Sequence, residues 1–391
     1  MNFILYDGPF RGALLPFTYT RPVADIRVGI LTIREKWEKH LKLTTSTITE
    51  GYLSEKWPMV EMEINTFICG GVLPTQEIVD VVKSLQVNQV LYNESDNLIA
   101  FCVPEGEEPS LDTFERLVFR SDYAEITAPW DIFKLNEQAI VDDFELLTED
   151  ELSESLSETN TVIGDGKVFL APGAVVECAV LNTKNGPIYI GSNAEIMEGS
   201  LVKGPFALCD HATLKMGAKI YGGTTVGPHS KVGGEVSNSV IMGYSNKGHD
   251  GFLGNSVIGE WCNLGADTNS SNLKNNYASV RLWSYENEGF AKTGLQFCGL
   301  MMGDHSKSGI NTMFNTGTVV GVSANIFGAS FPRNFIPSFS WGGSAGMVTF
   351  KTSKAFEVCE KVMERRNIPF TSVDQAILEH VYEISAKWRK E

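Results

Sequence analysis

Residues 190–236 read IGSNAE IMEGSL VKGPFA LCDHAT LKMGAK IYGGTT VGPHSK VGGEV, and an apolar residue heads every group of six: Ile190, Ile196, Val202, Leu208, Leu214, Ile220, Val226 and Val232. A period of six matches neither the 3.6-residue stripe of an α-helix nor the two-residue alternation of a half-buried strand. It is the period of a solenoid. Four residues after each anchor stands a second small or apolar residue: Ala194, Ser200, Phe206, Ala212, Ala218, Thr224, Ser230 and Val236. Two inward positions per hexad make one flat face. Three such faces close a triangular coil of 18 residues, whose short strands stack on their equivalents at about 4.8 Å.

The same grammar returns further along the chain. Phe252, Ile258 and Leu264 form one block, and Met302, Ser308, Phe314, Val320 and Ile326 form another, with Ser306, Thr312, Thr318, Ala324 and Ser330 at the second inward site. The solenoid is expected over residues 161–331. This pattern resembles the hexapeptide-repeat acyltransferases, and the resemblance implies a left-handed parallel β-helix and a homotrimer.

Flanking segments follow other rules. Residues 1–145 read as an α/β domain: Phe3-Ile4-Leu5-Tyr6 runs into a glycine turn, and Thr66-Phe67-Ile68-Cys69 leads through Gly70-Gly71 and Pro74 to a helix with Ile78, Val81, Val82 and Leu85 on its apolar face. The stretch 146–160, acidic and serine-rich, reads as a linker. Residues 332–391 turn helical, with Ser372 and Gln375 as a capping box ahead of Val373, Ile377, Val381 and Ile384. That amphipathic helix is expected to cap the open end of the solenoid.

A formal charge of −16 leaves no basic stripe for neutralising phosphates along a duplex, so nucleic acid is not expected as a partner. No window approaches the ~20 continuous apolar residues of a membrane span, and no secretory leader pattern opens the sequence, so a cytoplasmic location is expected. Seven scattered cysteines without a CxxC pair suit buried reduced thiols.

Between Val232 and Phe252 the anchors lose register, and a loop is expected around Ser245-Asn246-Lys247-Gly248-His249-Asp250-Gly251-Phe252-Leu253-Gly254-Asn255. With Ile258-Gly259-Glu260 and Asn263-Leu264-Gly265-Ala266-Asp267-Thr268, this run resembles the acetyltransferase domain of the bifunctional N-acetylglucosamine-1-phosphate uridyltransferase/glucosamine-1-phosphate acetyltransferases. The resemblance places His249 on the catalytic base and Asn255 where the family has an aspartate near that base. Asn272 falls on an asparagine that contacts sugar or acetyl group, Ala266 lies beside acetyl-CoA, and Lys247 joins the substrate-binding set. The family's tyrosine after that asparagine is here Leu273. Acetyl transfer to an amine suits such a base, since an imidazole with pKa near ~6.5 accepts a proton at neutral pH. A structural histidine is the plain alternative for His249. Zinc is another, because His211 and His229 stand 18 residues apart, and hexapeptide-repeat carbonic anhydrases bind zinc with histidines between subunits.

The opening Tyr6-Asp7-Gly8-Pro9-Phe10-Arg11-Gly12-Ala13-Leu14-Leu15-Pro16-Phe17-Thr18-Tyr19-Thr20-Arg21-Pro22 resembles the sugar-phosphate nucleotidyltransferases. It makes Gly8, Arg11, Gly12, Thr18 and Arg21 the candidate nucleotide-binding residues; Asp131, in the Pro129-Trp130-Asp131 turn before a helix, is the candidate Mg²⁺ ligand, with a helix N-cap as the alternative role. Val23 stands where the family has a lysine, and Gly71 where it has a metal-binding aspartate. The expected whole is a bifunctional enzyme of nucleotide-sugar synthesis that uses acetyl-CoA, an amino sugar 1-phosphate and UTP or dTTP. An acyltransferase with a binding-only N-terminal domain and a non-enzymatic trimeric scaffold are the alternatives.

Overall fold

A computed structural model describes residues 2–389. The chain forms two compact units, one of residues up to Leu14, Thr20–Ile26 and Leu31–Ala128, the other of Leu15–Tyr19, Arg27–Ile30 and everything from Pro129 onward.

The first unit is a six-stranded mixed sheet of β1 (Asn2–Tyr6), β2 (Ser46–Ile48), β3 (Ile64–Cys69), β4 (Gln89–Asn93), β5 (Leu98–Pro104) and β6 (Glu115–Phe119), in the order β2-β1-β3-β5-β4-β6. β1 runs parallel to β2 and β3, whereas β5 is antiparallel to both neighbours. Two helices accompany the sheet. α1 (Ile33–Leu41) starts from a capping box in which the Thr32 hydroxyl accepts from the Glu35 amide and the Glu35 carboxylate accepts from the Thr32 amide. In α2 (Gln76–Ser84) the buried face is Ile78, Val79 and Val82, with Thr75 as N-cap.

The second unit contains the solenoid. Its strands form three sheets of eight, nine and ten members, and Ile190 pairs with Leu208, Ile196 with Leu214, and Val202 with Ile220, as the 18-residue period requires. All sixteen inward residues expected between 190 and 236 are buried. At roughly 1.5–3 kcal/mol for each fully buried Val, Leu, Ile or Phe, the anchors of that column stabilise the solenoid.

The expected loop after Val232 is absent. Strands at 240–243, 246–247 and 252–254 carry the coils straight through, with shorter steps: Val232 pairs with Lys247, fifteen residues on, and Val236 with Leu253, seventeen on. Leu253 points inward at 1% exposure, so Phe252 is not the anchor that the hexad count suggests. Ser330, expected inward, is exposed.

The true interruption comes later. Ile258 pairs with Met302, 44 residues on, and the intervening chain leaves the corner after Asn269–Ser270 to form an antiparallel hairpin of Arg281–Ser284 and Gly289–Lys292. Solenoid strands also continue past 331, at Phe335–Ile336 and Ser340–Gly343.

Helix α3 (Pro129–Thr148) belongs to this second unit, although the sequence suggests a boundary at 145. Asn136 explains its seat: its amide donates to Gly223 O and Thr225 Oγ1 (2.8 and 3.0 Å), and its Oδ1 accepts from the Gly29 amide at 2.7 Å. Helices follow the solenoid, as expected: α4 (Thr352–Glu364) and α5 (Ser372–Ile384). The α5 capping box is Thr371 with Asp374, one residue earlier than Ser372 with Gln375. Of the seven cysteines, six are buried and Cys178 is exposed, and none forms a disulfide among the described residues. No helix among the described residues is long and apolar enough to cross a membrane.

Candidate functional site

The corner between the ten-strand and eight-strand faces carries His249. In a neighbouring coil four residues, Lys215 to Ala218, turn this corner, but Gly233-Gly234 turn it in two. The corner of residues 248–251 settles directly onto that pair. A Cβ on Gly234 would lie 2.8 Å from Asp250 Cα and 2.9 Å from His249 O, and the residue has φ +72°, so only glycine fits. His249 itself is exposed.

Beside it runs a groove of about 750 Å³ that also takes in Ala266, Tyr244 and Trp261. Five cationic residues line it: Lys231 and Lys307 from the ten-strand face, Lys215 from the corner that follows it, and Arg365 and Arg366 from the end of α4. No carboxylate lines the groove, and none of these five cations has a carboxylate within 4 Å among the described residues. In a chain of charge −16, that concentration marks an anion site. Burial pushes the Lys307 ammonium below its ordinary value, and burial together with neighbouring Arg365 does the same to Arg366.

Along the adjoining corner His211, His229, Tyr244, Trp261 and His305 stack in one column, with successive centroids 4.7, 4.9, 4.3 and 6.3 Å apart and planes within 13°. All five take positive φ, between 53° and 59°. The faces of Tyr244 and Trp261 are therefore occupied by ladder neighbours, which leaves their edges to the groove. The His211–His229 pair is a step of this stack, with centroids 4.7 Å apart. No three His, Cys, Asp or Glu residues converge as a metal set among the described residues.

The other candidates divide. Asn255 and Asn272 meet, the Asn272 amide donating to Asn255 Oδ1 at 2.8 Å, at the corner between the eight-strand and nine-strand faces rather than on the groove. Lys247 does not line the groove. It occupies the inward column between Val232 and Leu264 at 3% exposure, its ammonium donating to Gly233 O (2.9 Å) and His249 O (2.8 Å). Sequence reasoning missed the five cations. Lys215, Lys231 and Lys307 flank inward anchors and so point outward, a signal visible in the hexads, whereas Arg365-Arg366 required knowing where α4 ends.

In the first unit, Gly8 has φ +68° and a Cβ there would meet Cys69 Sγ at 2.7 Å, so packing alone demands glycine. Arg11 is held by Asp7 (3.4 Å), Glu50 (3.6 Å) and the Tyr52 hydroxyl (2.9 Å). Arg21 is 4% exposed. Asp7 accepts from the Val23 amide and the Thr49 hydroxyl, and burial raises its pKa against the pull of Arg11. Gly12 lies in the turn after Asp7, while Thr18 is buried within a stretch that groups with the second unit. Asp131 also lies in the second unit, in the first turn of α3, where an acid suits the helix dipole.

A hexad solenoid with a cationic groove at an exposed histidine, preceded by a separate α/β unit, defines the architectural class. Residues 3–151 match the family of sugar nucleotidyl transferases. Over 89 residues the chain is 36% identical to the bifunctional protein GlmU of Methanocaldococcus jannaschii, covering 22% of this chain and 21% of that one. Over 150 residues it is 26% identical to the putative uncharacterized acetyltransferase YaiX of Escherichia coli K12, covering 37% of this chain and 64% of that one. The alignments thus span less than two thirds of either relative. Among solved structures, the polySia-specific acetyltransferase NeuO aligns with 54% of this chain and 99% of its own, at 16% identity and a TM-score of 0.29. By sequence, then, the chain is similar over its first part to sugar nucleotidyl transferases and over shorter stretches to a bifunctional GlmU protein and an acetyltransferase.

Proposed function

We propose that the solenoid moves an acetyl group from acetyl-CoA to the amine of an amino sugar 1-phosphate, with His249 as general base. The observation that carries this reading is the exposed imidazole on a groove with five cations and no acid. A thioester donor bearing several phosphates supplies the matching charge. The neutral amine attacks the thioester carbonyl and forms the C–N bond. The imidazole accepts the ammonium proton, the C–S bond breaks, and the proton passes to the leaving thiolate. In a trimer of prisms, the Asn255–Asn272 corner of one copy would complete the acceptor side against His249 of the next.

The N-terminal unit would then join the acetylated sugar phosphate to UTP or dTTP with release of pyrophosphate. A second reading, in which this unit binds ligand without catalysis, is favoured by the engaged Arg11, the buried Arg21 and the glycine at position 71. One incubation separates the two: purified protein with acetyl-CoA, glucosamine 1-phosphate, UTP and Mg²⁺, with thiol and pyrophosphate followed independently. Both products support the bifunctional enzyme. Thiol without pyrophosphate selects the second reading, and neither product across several amino sugars and nucleotides would refute both.

A further inference from the structure

The inward column of the ten-strand face reads Val176, Ile196, Leu214, Val232, Lys247, Leu264, Ser308 and Ile326. One member is charged. A buried ammonium is costly unless its donors are used, and a residue such as leucine would fill this position at less cost. Among the described residues Lys247 has no carboxylate within 4 Å, and its ammonium donates to two backbone carbonyls. Both carbonyls belong to the His249 corner or the glycine pair beneath it.

The reason lies in the coil lengths. At other steps this corner column is tied by backbone bonds between successive coils, Gly217 N–H to Glu198 O, Asp267 N–H to Asp250 O and Asn311 N–H to Ala266 O, but the step from residues 215–218 up to Gly233-Gly234 has no such tie among the described residues. Between the shortened Gly233-Gly234 corner and residues 248–251 the corresponding tie, an amide of the upper corner donating to the lower, is absent among the described residues. The Lys247 ammonium spans that step instead, one donor down to Gly233 O and one across to His249 O.

We propose that Lys247 is a positioning residue, holding the His249 corner on the glycine pair through the two carbonyls and so presenting the imidazole to the cationic groove. The catalytic part of this inference rests on His249 acting as proposed above; the positioning part does not. Burial drives the ammonium down to about 8, with Asp250 and Asp267 opposing that shift and Lys219 adding to it, consistent with an amine held for its geometry rather than for its charge.

The test compares wild type with Lys247→Met and Lys247→Gln in the full chain. Amide hydrogen exchange at residues 248–251 is expected to quicken at least tenfold in both variants, while exchange in the 190–232 coils stays unchanged. Acetyl transfer is expected to lose at least tenfold in kcat with KM for acetyl-CoA within threefold, and Lys247→Arg, which keeps the donors, is expected to recover part of kcat. Unchanged exchange at 248–251 overturns the proposal. So does unchanged kcat in variants whose exchange has quickened. If wild type transfers no acetyl group at all, the functional reading fails while the exchange comparison still decides whether Lys247 holds the corner.

Discussion

Lys247→Met should change how the stability of the solenoid depends on pH. The folded chain holds the Lys247 ammonium at about 8 against an ordinary 10.5, with burial as the leading cause. Below pH 8 both states carry the proton, and the folded state bears the full cost of the buried charge. Between 8 and 10.5 the unfolded chain binds the proton more tightly, so its bound-proton number exceeds the native one and stability rises with pH. A difference of that size corresponds to about 3 kcal/mol. Tyrosines and cysteines held above their ordinary values act in the opposite direction over part of this range, so the comparison between proteins isolates the lysine. Urea unfolding of wild type and Lys247→Met, followed by circular dichroism at pH 7 and 10.5, should show wild type gaining about 3 kcal/mol relative to the variant. Parallel curves, with a gap constant to within about 1 kcal/mol, would refute the assignment of a desolvated ammonium.

Other perturbations test the fold and the groove. Phe206→Ala empties a fully buried position of the column and should cost about 3–5 kcal/mol in the same urea assay. Gly234→Ala drives a Cβ into the backbone of residues 249–251 at positive φ, and should lower the melting temperature and cut acetyl transfer together. Arg365→Ala with Arg366→Ala should raise KM for acetyl-CoA about five- to twentyfold and flatten its dependence on salt, with little change in melting temperature, because neither guanidinium has a carboxylate partner among the described residues.

The coil itself was legible from Ile190 to Val236 because each anchor there repeats without insertion. Past Val232 the pattern misleads for a physical reason. A corner of two glycines shortens the coil, the phase slips, and Leu253 rather than the adjacent Phe252 turns inward. A lysine then takes an inward position, which no hydrophobic pattern anticipates; its ammonium is acceptable there only because two carbonyls lie within 3 Å. His249 was visible through the motif around it. Its groove was not, since Lys215, Lys231 and Lys307 are scattered across coils and Arg365 and Arg366 arrive from a helix a hundred residues downstream. In the first unit, the glycine turn after β1 was legible, while the burial of Arg21 and the grouping of Thr18 with the solenoid depend on packing that spacing alone does not encode.

The central claim is that His249 performs proton transfer in an acetyl-CoA-dependent reaction. The most direct measurement is thiol release from acetyl-CoA with glucosamine 1-phosphate by wild type and by His249→Ala, alongside acetyl-CoA binding by calorimetry. The account predicts that the variant binds acetyl-CoA within threefold of wild type and releases thiol at least a hundredfold more slowly. Equal thiol release by the two proteins would contradict it.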